Sequence, residues 1–183
     1  MITLVVDNLS PFTPDILQCL KRSGAPYICK KFFEVNESNI KCDKVILSGR
    51  QKNNKEINVI NSKIIKQCFQ TDIPILGICY GAEIIASTLG GSICRMPSPV
   101  RGVIPLNVWK ENRMITEKKS VHVFESHRYC IAKLPDGFDS VASSRYCDHE
   151  LFSHKKKDIF GTQFHPEKSG QIGLNVFSNF LIA

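Results

Sequence analysis

A cysteine bracketed by glycines, Gly77-Ile78-Cys79-Tyr80-Gly81, follows the apolar run Pro74-Ile75-Leu76 and precedes the helical pattern Ala82-Glu83-Ile84-Ile85-Ala86-Ser87-Thr88-Leu89. This order predicts a strand that turns sharply into a helix. A residue at such an elbow is lifted out of the sheet on a strained turn, and side chains at the flanking glycines would clash with neighbouring backbone. Cys79 is thereby expected at a helix N-terminus, where the positive end of the macrodipole favours thiolate over thiol. The chemistry indicated is that of a sulfur nucleophile.

A nucleophile of this kind needs a base. The segment Phe160-Gly161-Thr162-Gln163-Phe164-His165-Pro166-Glu167 supplies one, 86 positions further on. Residues two apart in extended backbone point the same way, so His165 and Glu167 are expected to address one site. Pro166 stiffens that spacing and pushes His165 out of helical space. A carboxylate beside an imidazole selects its tautomer and stabilises the imidazolium formed when it takes the thiol proton. Cys79, His165 and Glu167 are the expected catalytic unit. Taken singly, a cysteine is more often a small buried hydrophobe and His-Pro-Glu a turn; their joint occurrence in one small chain carries the reading.

The elements that must position these residues follow from periodicity. A strand is expected near 2–6, an amphipathic helix near 14–22 ended by Gly24, and a strand around 27–33 followed by a polar segment. Another strand, Lys44 to Ser48-Gly49, precedes a helix over Glu56–Gln70 with Ile57, Ile60, Ile64, Ile65 and Cys68 at helical spacing. This β-α alternation predicts an α/β fold: a doubly wound, mostly parallel central sheet with helices on both faces. From Ser92 to Gln163, short alternating runs with turn signals at Asn112-Arg113, Pro135-Asp136-Gly137 and Lys155-Lys156-Lys157 predict an antiparallel hairpin section. A closing helix over Gln171–Leu181 presents Ile172, Val176, Phe177 and Phe180 on one face.

Composition bounds the rest. The 183 residues suit a single domain spanning the whole chain, and 43% hydrophobic with 22% charged content is ordinary for a globular protein. The N-terminus lacks the basic region of a signal peptide, and no apolar run approaches the roughly 20 residues that span a bilayer. The eight cysteines lie at least ten positions apart with no C-x-x-C pair, which predicts reduced thiols in the cytoplasm. Net charge is +7, but the basic residues are dispersed; no aromatic-interleaved basic stripe is present, and no nucleic-acid partner is expected. Cys147, Asp148, His149 and Glu150 are consecutive and would alternate between faces of a strand, so no metal centre and no cofactor are expected. His122, His149 and His154 read as surface or packing residues, and Asp7 and Asn8 as a turn cap at the sheet's carboxyl edge.

Together, Leu76-Gly77-Ile78-Cys79-Tyr80-Gly81 and Gly161-Thr162-Gln163-Phe164-His165-Pro166-Glu167 resemble the class I glutamine amidotransferases, the triad glutaminase domains, over essentially the whole chain. The resemblance implies that Cys79 attacks the side-chain amide of L-glutamine, that ammonia leaves a γ-glutamyl thioester, and that water then frees glutamate. It implies His165 as general base then acid, Glu167 as its orienting carboxylate, and the Tyr80 backbone N–H as an oxyanion donor. Ser126-His127 and the stretch Gly137 to Ser144 resemble the stand-alone glutaminase subunit of GMP synthetase, which aminates XMP; Val6-Asp7-Asn8 to Thr13 is similar to the anthranilate and aminodeoxychorismate synthase glutaminases; and His165 to Gly170 is similar to the imidazole-glycerol-phosphate synthase glutaminase. A separate synthetase subunit that accepts the ammonia is the implied partner, because the chain ends just after its last helix. Ser126 and His127 match a segment near the substrate.

Two positions depart from the family pattern. Glu83 stands where the family carries a substrate-holding glutamine; a carboxylate can bind the α-ammonium but repels the α-carboxylate. Ser48-Gly49-Arg50-Gln51 replaces a Gly-Gly-Pro type loop. Either Gly49 or the Arg50 N–H then serves the oxyanion, or the hole is defective, and the Arg50 guanidinium is a candidate partner for the substrate carboxylate. A catalytically impaired binding relative and a γ-glutamyl peptide hydrolase are the other readings these departures allow.

Overall fold

The computed structural model describes residues 1–36, 40–116 and 120–183. Part of the expected polar segment (37–39) and part of the hairpin section (117–119) lie outside the described residues.

Alternation of strand and helix builds the first half: β1 (Thr3–Asp7), α1 (Thr13–Arg22), β2 (Tyr27–Lys31), β3 (Lys44–Leu47), α2 (Lys55–Thr71), β4 (Ile75–Ile78) and α3 (Tyr80–Thr88). The second half is β5 (Ser92–Val108), β6 (Ser120–Lys133), β7 (Phe138–Ser143), β8 (Leu151–His154), β9 (Ile159–Thr162) and α4 (Gly170–Ile182). Among the described residues, nine strands form one sheet in the order β2-β1-β3-β4-β9-β8-β7-β5-β6. The block from β2 to β9 is parallel, and the strands beyond β9 are antiparallel.

The sheet is apolar on both faces, as covered parallel strands require. On one face Val5, Ile46, Leu76 and Phe160 pack with Ile16 and Leu20 of α1 and with Val176, Phe177 and Phe180 of α4. Their neighbours in sequence, Leu4, Val6, Val45, Leu47 and Ile75, turn the other way onto Ile57, Ile64 and Ile65 of α2 and Ile85 of α3. Asn54 caps α2 by accepting from Glu56 N–H at 2.7 Å, and Gly24 follows α1 with a φ of +66°. Buried Lys44 donates through Nζ to the carbonyls of Phe180 (3.1 Å) and Ala183 (2.6 Å), tying the end of α4 to β3.

The antiparallel section departs from expectation in two respects. β5 and β6 are long, 17 and 14 residues, and pair as one ribbon. Pro97 and Pro99 fall inside the register shift between Arg95 and Val100, where no ladder N–H is needed. And β9, although reached by a hairpin, lies parallel to β4, pairing Gly77 with Gly161 and Ile78 with Thr162. That pairing sets the elbow strand beside the strand that delivers His165. No helix among the described residues is long and apolar enough to cross a membrane.

Candidate active site

β4 ends at Ile78, and Cys79 turns the chain with φ 52° and ψ −107° before α3 begins at Tyr80. A positive φ is costly for a residue with a Cβ and persists only where the surroundings enforce it. They do so here. A Cβ on Gly77 would stand 2.4 Å from the Gly81 carbonyl carbon, and one on Gly81 2.4 Å from the Leu47 carbonyl oxygen. Cys79 N–H donates to Thr162 O at 2.7 Å, and Glu83 N–H to Cys79 O at 3.0 Å, which clamps the elbow from both sides.

The base arrives by a different local structure from the one expected. His165 is extended (φ −99°, ψ 94°), but Pro166–Lys168 form a 3₁₀ turn rather than a continued strand. The turn curls the Glu167 carboxylate back onto the ring, with His165 Nδ1 2.7 Å from Glu167 Oε1. A carboxylate only accepts, so Nδ1 carries the proton and Nε2 is left for chemistry. The backbone is anchored as well: His165 N–H donates to Phe124 O (2.8 Å), and Ser169 Oγ donates to His165 O (2.6 Å). Phe12 packs edge-on against the imidazole with ring centroids 4.9 Å apart.

Cys79 and His165 interact strongly enough to shift each other's proton affinity. Burial pushes the Cys79 thiol up, and the neighbouring His165 ring pulls it back down. The thiol points at Ser126 O, 3.9 Å away. Burial disfavours the His165 imidazolium, but the Cys79 sulfur and the Glu167 carboxylate outweigh it and hold the ring at about 10.

These groups open onto a cleft of about 700 Å³ bordered by Ser10, Arg50, Tyr80, Glu83 and Ser126. Gly49 lies beside the catalytic pair; a Cβ there would lie 3.4 Å from His165 Cε1 and 3.8 Å from Cys79 Cβ. Arg50, the next residue, swings outward: its guanidinium stacks 3.8 Å over the Tyr80 ring and bonds Asn58 Oδ1 at 2.5 Å. Glu83 is buried, accepts from Gln163 Nε2 at 3.1 Å, and has its carboxyl raised by burial.

His127 borders the same cleft. Its side chain is 1% exposed, Nδ1 meets Tyr129 O at 2.7 Å, and Nε2 faces Glu125 Oε2 at 2.9 Å. His154 packs on Phe138 and its Nδ1 accepts from Lys156 and Lys157 N–H at the hairpin tip; His122 is exposed. Asp7 organises a turn by accepting from Leu9 N–H (2.9 Å) and Thr13 Oγ1 (2.7 Å), while Asn8 joins a buried network with Ser48 and Asn61.

Sequence reasoning missed Phe12, Gln163 as the partner of Glu83, and the acidic residues Glu125 and Glu150 near His127. Gln163 was within reach, since it lies in the segment that carries His165. Phe12 carries no local signal, being 153 positions from the ring it packs on.

The family model for "Glutamine amidotransferase class-I" matches residues 4–183. A glutamine-hydrolyzing GMP synthase subunit of Methanocaldococcus jannaschii is 34% identical over 185 aligned residues, covering 97% of this chain and 94% of that protein. A glutamine-hydrolyzing GMP synthase of Prochlorococcus marinus is 36% identical over 84% of the chain, which spans only 29% of that longer protein. A crystal structure from Thermoplasma acidophilum, of a protein assigned as one subunit of a GMP synthase, superposes with a TM-score of 0.89 at 32% identity, covering 99% of this chain and 92% of that one.

Proposed function

The chain belongs to the class-I glutamine amidotransferases, and from that membership we propose that it hydrolyses L-glutamine through a Cys79 thioester and passes the ammonia to a separate synthetase subunit of GMP synthetase type, where XMP is aminated. The observation that carries the chemistry is Cys79 held at a strained elbow beside a His165 ring braced by Glu167 at 2.7 Å.

His165 Nε2 takes the thiol proton as sulfur attacks the amide carbon, and Glu167 stabilises the imidazolium. The proton then passes to the leaving nitrogen, ammonia departs, and water enters with His165 again as base to release glutamate. The oxyanion is met by the Tyr80 N–H, which opens α3 and so has no partner within the helix. Gly49 supplies the second donor, because a Cβ placed on it would lie 3.4 Å from His165 Cε1 and 3.8 Å from Cys79 Cβ, which sets this residue beside the reacting groups. Arg50 at the lip holds the substrate α-carboxylate, the Ser126 carbonyl receives the α-ammonium end, and Glu83 takes the place of a substrate-holding amide in the same cleft. Relatives that correspond to this chain over nearly their whole length support a separate synthetase, and unpaired thiols suit a cytoplasmic setting.

Reaction with 6-diazo-5-oxo-norleucine followed by intact mass tests the reading. One adduct per chain is expected, mapping to Cys79 and lost in Cys79→Ala. Absence of an adduct together with no glutamate release, with and without the synthetase partner of a GMP synthetase, would overturn it in favour of a non-catalytic relative; labelling by γ-glutamyl peptide analogues alone would indicate a peptide hydrolase.

A further inference from the structure

Glu125 and His127 are two residues apart on β6 and project from the same face of it. Glu150, just before β8, enters from across the sheet. All three side chains are buried, with Glu125 and Glu150 at 0% exposure. Their ligand atoms, one from each residue, all lie within 4.8 Å of one another.

The hydrogen-bond inventory of this cluster does not close. Tyr129 O can only accept, so His127 Nδ1 carries a proton and Nε2 is the nitrogen turned toward the carboxylates. Nε2 stands 2.9 Å from Glu125 Oε2, a contact that closes only with a proton or another cation between the two atoms. Ser144 Oγ donates to Glu150 Oε1 at 2.6 Å, but Glu125 Oε1, Glu125 Oε2 and Glu150 Oε2 lack partners among the described residues. Unpartnered acceptors on three buried side chains thus aim at one point, an arrangement native interiors avoid unless something positive sits there.

We propose that Glu125, His127 and Glu150 bind a first-row divalent cation, Zn²⁺ being the best match to one imidazole and two carboxylates. Zinc takes such ligands at roughly 2.0–2.2 Å, so neighbouring donors around one ion stand about 3.4 Å apart, which small rotations of these side chains reach. The Tyr129 carbonyl that fixes the His127 tautomer is the outer-shell partner that ligating imidazoles usually have. Mg²⁺ fits poorly, because it prefers oxygen ligands and keeps its waters. The ion would sit behind the catalytic cleft, where it would let two carboxyls ionise that burial otherwise pushes up to about 8 (Glu125) and about 9 (Glu150). Its role is electrostatic support, and its existence does not depend on the glutaminase reading.

The full chain, stripped with EDTA and desalted, is incubated with ZnCl₂, MnCl₂ or MgCl₂, desalted again and assayed for bound metal and melting temperature. The expected result is one retained zinc per chain, a Tm raised by several degrees, little retention of magnesium, and loss of the zinc in Glu150→Gln and Glu125→Gln but not in Cys79→Ala. Cobalt(II) loaded into the unmodified chain gives a second readout that needs no folded variant: ligand-field bands without a sulfur-to-metal charge-transfer band support the site. No retained metal would mean that the cluster holds protons only and would overturn the proposal, as would zinc kept in both glutamine variants or a cobalt–sulfur band.

Discussion

Gln163 donates its side-chain amide to Glu83 at 3.1 Å, and both side chains are buried beside the cleft. Burial raises the Glu83 carboxyl, and a protonated carboxyl offers the O–H donor that an amide would offer as N–H. Glu83 therefore stands in for a glutamine only while it keeps its proton. The KM for glutamine is expected to rise as pH climbs through the Glu83 titration and to stay flat in Glu83→Gln, with kcat changed by no more than a few-fold. Parallel KM profiles in the two proteins would show that the proton on Glu83 plays no part in binding.

Replacing Glu167 by Gln keeps the shape of the His165 contact and removes its charge. The amide oxygen can still accept from Nδ1, so KM should hold while kcat falls by roughly 10²–10⁴. A loss of less than tenfold in steady-state glutamate release would demote Glu167 to a structural role.

The same pair governs alkaline stability. His165 has its folded value raised to about 10 from 6.5, so its contribution to stability is complete below pH 6.5 and is lost as pH rises through about 10. Thermal melting followed across that window should show Tm declining, and the decline should be shallower in Glu167→Gln. A melting temperature level with pH in the unmodified chain would contradict the ion pairing.

Gly49 and Arg50 are separable by kinetics. A methyl on Gly49 fits in ordinary contact, 3.4 Å from His165 Cε1 and 3.8 Å from Cys79 Cβ, but takes up space and restricts the backbone at the oxyanion corner, so Gly49→Ala should lower kcat with little change in KM. Arg50→Ala should raise KM for glutamine about tenfold or more, since it removes a charged partner of the substrate carboxylate. An unchanged KM in Arg50→Ala would confine its guanidinium to stacking on Tyr80.

The helix-to-strand contact at the elbow leaves no room for side chains. Gly81→Ala would press a methyl to 2.4 Å from the Leu47 carbonyl oxygen, and a loss of about 3 kcal/mol or more is expected, read as a lower midpoint in urea unfolding. Unaltered stability would mean that β3 and α3 can part without consequence.

What could be read from the chain was local. Gly77, Cys79 and Gly81 lie within five residues, so the elbow's steric logic is written in adjacent letters, and the periodicities of α2 and α4 name their buried faces directly. His165 and Glu167 were also legible as partners, although the 3₁₀ turn that joins them was not, because Pro166 is compatible with either conformation. The inward turn of His127 depended on which face of β6 meets the core, and that is fixed by pairing with β5 over register shifts no short window contains. Glu125 and Glu150 converge only after β7 and β8 have been placed between the parallel block and the ribbon. Contacts of this range carry no signature in spacing.

The left-handed backbone at Cys79 sets function and folding at odds. Glycine is the residue that would relax that torsion, so Cys79→Gly should melt higher than Cys79→Ala and rival the active chain, while hydrolysing nothing. A screen that selects this fold for heat resistance alone would drift toward discarding its own nucleophile.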